Sequence, residues 1–540
     1  MMMILLFPLF LSLLTIGHGE ATGATDDSEH VHDCRAKKFA GQDSFVCVCN
    51  HRHCDTLGKL QHIGGDEIIS FESDRDKYRF HKSVLQSQNH DQHPVDGSDA
   101  VITIERERRD QRILGFGGAF TDATGFNVRK LDEKMQKRFV RDYFGEKGLE
   151  YTMGRVHIGG CDFSYRNYTL DDHPNDFELK HFNLTHEDLD YKIHFIEQAQ
   201  KFYPNIKLFA SLWSPPAWMK TNGKLNHLGI LKGEPGEFYY KLYVKYIIKF
   251  LDAYKSKGIK FWGLTTGNEP SAGLKPKYAF NALGLSPDMM REFVKLDLGP
   301  GLKKAGYGRD KLKLMMLDDN TNMLEYYAGT VLDGGLAEKY IDGIAIHWYL
   351  NRKFGYDSIQ RTRDRYPKKF MLSTEACEGA FYDSPKVALG NWTRAETYAT
   401  DIIEDLNRGV VGWVDWNMAL DLQGGPNWVK NFVDSPIIVD KTQNEYYRQP
   451  MFYALAHFTK FLPPESIRIE HKMHAKHSGI RATVFKSPRN TFVIIILNSR
   501  DHHSKVTIKG FRHQSMTIEM KPHSIRTLIT KFNPKIDAKR

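Results

Sequence analysis

The sequence predicts an α/β protein: a (β/α)8 barrel with an associated antiparallel β-sandwich built from both chain ends. Three observations carry that prediction. Between about residue 110 and residue 420 a short apolar run, a break rich in Gly, Pro, Asn or Asp, and a helical stretch recur eight times. Eight strand-then-helix units in roughly 300 residues argue for a closed barrel over an open sheet. The stretches on either side instead alternate in the manner of half-buried strands, with no helices between them.

The barrel strands begin at ILGFGGAF, YTMGRVHIGG, IKLFASLWSPP, IKFWGLTTGNEP, KLMMLDD, DGIAIHWYL, KKFMLSTEA and GVVGWVDWNMAL. Each is nearly continuously apolar, as parallel strands covered on both faces are. No GxGxxG with an acidic residue after it supports a doubly wound sheet. The clearest helix is EPGEFYYKLYVKYIIKFLDAYKSKG, where Phe238, Leu242, Tyr246 and Phe250, with Ile247 and Tyr254, form one apolar stripe. Pro235 suits its first turn, and Lys255, Lys257 and Gly258 suit its end. At the tail, IRATVFKSPRNTFVIIILNSR, HHSKVTIKGF and QSMTIEMKPHSIRTLIT read as successive strands. DEIISFES and AVITIERE, ahead of the barrel, are strand-like too. An isolated hairpin is marginal, so both ends are expected to join in one sandwich. The divisions expected are 1–19 leader, 20–60 cysteine-rich segment, 61–110 first sandwich strands, 111–450 barrel and 451–540 remaining sandwich.

Bulk numbers set the class. The 540 residues are 41% hydrophobic and 26% charged, with a net charge of +9 and 24 histidines. That is a globular composition, and no block of five or six basic residues points to nucleic acid. The opening MMMILLFPLFLSLLTIGHGEA holds an apolar run of about 14 residues, the length of a secretory leader and short for a bilayer span. In the oxidising compartment this implies, Cys34, Cys47, Cys49 and Cys54 read as two disulfides with three connectivities open. A zinc knuckle with His51 and His53 is the rival reading. Cys161 and Cys377 stand apart as buried thiols, and Asn167, Asn183 and Asn391 begin glycosylation sequons.

Barrel active sites lie where strands end at the carboxyl face. Those ends carry Arg155 and Cys161-Asp162, Trp213, Asn268-Glu269, Asp318-Asp319, His347-Trp348-Tyr349, Glu375, and Trp416-Asn417. The set combines carboxylates, amides and indoles, and its scattered ligand types make no metal cage, so neither a metal nor a cofactor is expected. Two carboxylates across a barrel mouth suit glycoside hydrolysis, one protonated to serve the leaving oxygen, the other ionised to attack. Trp213, Trp348 and Trp416 offer flat faces for a sugar ring, while Asn268 and Asp162 offer hydrogen bonds to hydroxyls. The competing reading is a catalytically silent carbohydrate- or lipid-binding protein on the same fold. It predicts loss of Glu269 or Glu375, and both are present.

GFGGAFTDA, RVHIGGCDFS, LWSPPAWMKTNG, NEPSAGL, MLDD, IHWYL, STEAC, GWVDWN and GGPNWVKNFVDSPIIVD occur in order. Together they resemble the lysosomal glucosylceramidases of glycoside hydrolase family thirty, from the cysteine cluster nearly to the C-terminus. The resemblance implies a retaining β-glucosidase with Glu269 as acid/base and Glu375 as nucleophile. It implies that Asn268 serves the 2-hydroxyl region, that Asp162, Trp213, Trp416 and Asn431 hold the glucose, and that Arg155 and Tyr349 orient the nucleophile, with His347 beside them. It pairs Cys34 with Cys47 and Cys49 with Cys54. It further implies a glucosylceramide substrate, a lysosomal setting, a saposin-type activator and anionic membrane lipids. Two positions depart from the family pattern: Gly267 stands where relatives carry Glu, and Glu378 where they carry an apolar residue.

Overall fold

A computed structural model describes residues 33–531, apart from 62, 65, 66, 86–96, 334, 381–384 and 511–514. The leader expected at 1–19 lies outside them. The eight runs predicted as strands form β1 (Gly115–Ala119), β2 (Met153–Ile158), β3 (Lys207–Leu212), β4 (Phe261–Thr265), β5 (Lys313–Asn320), β6 (Gly343–His347), β7 (Phe370–Glu375) and β8 (Val410–Asn417). All pair in parallel with their sequence neighbours, and β8 closes on β1 with Gly412 opposite Gly115. Met153, Phe209, Met315, Ala345, Leu372 and Val414 fill the barrel interior. Glycine permits this closure: a Cβ on Gly412 would sit 2.2 Å from the Gly115 carbonyl oxygen of β1.

The helix after β3 runs Phe238–Ser256 and buries Leu242, Tyr246, Ile247, Phe250 and Tyr254. Phe238, placed in the apolar stripe by its spacing, is 54% exposed. The helix starts one turn later than the sequence suggested, with Glu237 as N-cap, so Pro235 belongs to the preceding turn and Phe238 precedes the buried face.

Strands from both ends form one nine-stranded sheet: Ile68–Asp74, His81–Leu85 and Ala100–Arg112 from the N-terminal side, and six strands between Ile467 and Lys531. Ile102, Ile494, Ile496, Val506, Ile508 and Leu528 share its core. The expectation of a wholly antiparallel sandwich needs one correction. Ser504–Lys509 runs parallel to Ala100–Arg112, with Val506 opposite Ala100. These strands come from opposite ends of the chain, so no tight hairpin fixes their direction.

A third sheet was not foreseen. Ala36–Lys38 and Phe45–Cys49 join Glu445–Arg448, Ile437–Asp440 and Ala419–Asp421, fastening the cysteine-rich segment to the chain that follows β8. Cys34 is bonded to Cys47 and Cys49 to Cys54, the pairing the resemblance implied, while Cys161 and Cys377 are free and buried. Asn167 and Asn183 are exposed; Asn391 is half-buried and caps the helix Trp392–Asn407, accepting from the Arg394 amide at 3.1 Å. No described helix is long and apolar enough to cross a membrane.

Candidate active site

The carboxyl ends of the strands surround a cavity of about 540 Å³. Its walls include Asp162, Trp213, Asn268, Glu269, Tyr349, Glu375, Trp416 and Asn431, all marked by the sequence. A Glu269 carboxylate oxygen, a Glu375 carboxylate oxygen and a His347 ring nitrogen all lie within 4.8 Å of one another.

One buried carboxylate organises this end of the barrel. The register of β5 shifts between Leu317 and Asp319, and Leu317 and Asp318 adopt left-handed backbone at φ 72° and 57°. The bulge turns Asp318 inward. Its Oδ2 accepts from Arg155 Nη2 (2.9 Å), Ser211 Oγ (2.8 Å) and Thr265 Oγ1 (2.7 Å). Its Oδ1 accepts from Thr374 Oγ1 (2.7 Å) and faces His347 Nε2 at 3.0 Å. Five strands thus converge on one charge. Burial works against that charge, but Arg155 and His347 hold the Asp318 carboxyl far below the usual range.

Arg155 passes the order on to Glu375. Its Nη1 donates to Glu375 Oε2, and its Nη2 also donates to Asn268 Oδ1 at 2.7 Å. Tyr349 donates to Glu375 Oε1 at 2.7 Å. The Glu375 carboxylate is therefore fixed in rotation by two donors on different oxygens, and Asn268 is fixed with its amide nitrogen as the remaining donor.

Glu269 is held differently. Its backbone stands at φ 42°, with the amide donating to the Asp318 carbonyl at 2.9 Å. Tyr278 donates to Oε2 at 2.7 Å, while His347 Nδ1 lies 3.3 Å from Oε1. Burial raises the Glu269 carboxyl, but the His347 and Tyr278 contacts outweigh it and hold the group low. His347 itself is lowered by burial, yet Glu375, Asp318 and Glu269 together raise it to about 10. With a carboxylate on each ring nitrogen the imidazole carries both protons and keeps no lone pair for a metal.

Asp162 accepts from Asn427 Nδ2 (3.2 Å) and Asn431 Nδ2 (3.3 Å). Burial and then Glu375 push its carboxyl up to about 7. Trp213 and Trp416 stack at 5.1 Å and 12°, forming one wall, with the Arg155 guanidinium against both rings.

Trp348 does not join them. It packs edge-on against Tyr398 and Trp413, away from the cavity. Glu378 likewise adds no free charge beside Glu375, because it is buried and paired with Arg352. Gly267 has φ +144°, a backbone that a residue with Cβ rarely adopts. Sequence reasoning missed Tyr278 and Asn427 altogether. It placed Asp318 at a strand end without giving it a role.

Residues 113–462 match the glycosyl hydrolase family 30 TIM-barrel domain, and residues 465–528 match the family 30 β-sandwich domain. The chain belongs to glycosyl hydrolase family 30. It is a glycoside hydrolase by that membership. Within the family it is 41% identical to the lysosomal acid glucosylceramidase of Mus musculus, over 88% of this chain and 91% of that one. It is 26% identical to an endo-1,6-β-D-glucanase of Aspergillus fumigatus, over 74% and 81% of the two chains. The crystal structure of SrfJ from Salmonella typhimurium superposes with a TM-score of 0.78 at 26% identity, covering 86% of this chain and 100% of the other.

Proposed function

We propose that this family 30 hydrolase is a retaining β-glucosidase that cleaves glucosylceramide to glucose and ceramide by double displacement. The observation that carries the reading is the approach of the Glu269 and Glu375 carboxylate oxygens within 4.8 Å. Retention calls for carboxyl groups about 5–5.5 Å apart, whereas inversion needs about 6.5–9.5 Å to admit a water.

Glu375, held by Arg155 and Tyr349, attacks the anomeric carbon while Glu269 protonates the departing ceramide oxygen. Glu269 then takes a proton from water, which attacks the same carbon and frees Glu375. Asn268 directs its amide at the 2-hydroxyl, and Asp162 with Asn431 and the Trp213–Trp416 wall hold the rest of the ring.

Acid pH is what places a proton on Glu269, because the His347 and Tyr278 contacts hold its carboxyl low. The protonated form is the one required of the acid, and it suits a lysosome reached by the secretory route.

An aromatic patch where the loops after β2 and β3 meet the start of the helix Phe238–Ser256 supports work at a lipid surface. Phe177 and Phe238 are 44% and 54% exposed and meet at 5.5 Å, with Trp218 and Tyr239 beside them and Lys232 over Tyr239. Such a patch suits anionic membrane lipid and a saposin-type activator. The test is hydrolysis of glucosylceramide in anionic liposomes across pH 4–7 against a soluble aryl β-glucoside. Cleavage of both, strongest at acid pH, is expected. Cleavage of the aryl glucoside alone would make the chain a general β-glucosidase.

A further inference from the structure

Lys220, in the stretch LWSPPAWMKTNG, is completely buried, and no carboxylate pairs with it among the described residues. Its ammonium donates to the Leu225 carbonyl (3.0 Å), the Ala282 carbonyl (2.6 Å) and Ser214 Oγ (3.3 Å). Three protons meet three acceptors, so the side chain is satisfied only where it stands. Burial without a counterion nevertheless costs free energy, and depresses this amine to about 7. A core that needed only volume here would carry an apolar side chain.

The acceptors lie on two different loops. Ser214 and Leu225 belong to the loop after β3, and Ala282 to the loop after β4. Around Lys220 the same two loops exchange backbone bonds, Ala282 to Leu225 at 2.9 Å, His227 to Tyr278 at 2.8 Å and Gly284 to Gly229 at 3.0 Å. Asn226 Nδ2 adds a bond to the Ala279 carbonyl at 3.2 Å. The stretch so gripped, residues 278–282, carries Tyr278, which donates to Glu269, and Phe280, which lines the cavity.

We propose that Lys220 is a positioning residue for the acid carboxylate: it pins the loop after β3 to the loop after β4, holding Tyr278 on Glu269 and Phe280 on the cavity wall. The inference rests on the reading of Glu269 as the acid. Lys220 touches neither substrate nor Glu269 and acts through Tyr278.

The test compares Lys220→Met, Tyr278→Phe and the double variant by pH profiles of kcat/KM on an aryl β-glucoside, per folded molecule counted by circular dichroism. Lys220→Met is expected to lower kcat/KM by about 10- to 100-fold, the loss that a displacement near an ångström produces. The alkaline limb, which reports the acid, is expected to move to higher pH as it does in Tyr278→Phe, because Glu269 loses the donor that holds it low. The double variant is expected to show no further movement, since both changes remove one contact. An unmoved limb in Lys220→Met, or shifts that add in the double variant, would overturn the proposal. If Lys220→Met does not fold, Asn226→Ala loosens the same junction from its partly exposed edge. It is expected to move the limb the same way with a loss of about 3- to 10-fold, and an unmoved limb overturns the proposal equally. The reading beneath it fails separately: azide that does not restore turnover to Glu269→Ala removes the acid assignment. Additive shifts in an enzyme that azide does rescue remove only the role of Lys220.

Discussion

Asp162→Asn tests the electrostatics of the cavity through stability. Asp162 is 4% exposed, and its carboxyl rises from the ordinary 3.8 to about 7 through burial and the nearby Glu375. The folded state therefore keeps a proton between those two values that the unfolded chain releases. A group with a raised folded pKa makes stability fall as pH rises through that window. Integrated from pH 5 to pH 7, this one group removes about 2 kcal/mol. Unfolding entropy of about 2.1 cal/mol/K per residue over 540 residues gives roughly 1.1 kcal/mol per kelvin, so the expected change is about 2 °C in Tm. Asparagine keeps the shape and lacks the titration. Calorimetric scans of wild type and Asp162→Asn at pH 5 and pH 7 should show wild type losing about 2 °C relative to the variant. Parallel curves, or a relative gain by wild type, would refute the placement of a proton on Asp162.

Other predictions cover the remaining parts. His347 is raised from 6.5 to about 10, so its contribution is fully present below pH 6.5 and lost as pH rises to 10. Chemical denaturation at pH 7, 8 and 9 should show wild type losing about 1.4 kcal/mol per pH unit relative to His347→Gln. Tyr349→Phe removes a donor to the Glu375 carboxylate and should lower the pre-steady-state rate of glucosyl transfer to the enzyme about 10- to 100-fold. Replacing Cys34 and Cys47 by serine opens a link across 13 residues, and urea titration should show a loss of about 3 kcal/mol.

The barrel was legible because parallel strands buried on both faces write themselves as apolar runs, and eight such runs leave few topologies. The two glutamates were legible because each ends a run where a strand would otherwise end in turn residues. Trp348 was misplaced by one residue of phase. His347 and Tyr349 turn toward Glu269 and Glu375, and the alternation of a strand end sends the residue between them the other way. The role of Asp318 depends on a bulge after Leu317, and a register shift has no period to read. Tyr278 reaches Glu269 from nine residues further along an irregular loop, which has no period to read. The sheet joining Phe45–Cys49 to Glu445–Arg448 was hidden for the same reason, since the strands lie about 400 residues apart.

The central claim is that Glu375 bonds to the sugar while Glu269 handles the proton, and covalent trapping addresses it most directly. A cyclitol epoxide of glucose configuration, protonated by the acid and opened by the nucleophile, should leave one label per molecule, and peptide mass mapping should place it on Glu375. A label on Glu269, or inactivation with no label at either carboxylate, would contradict the account.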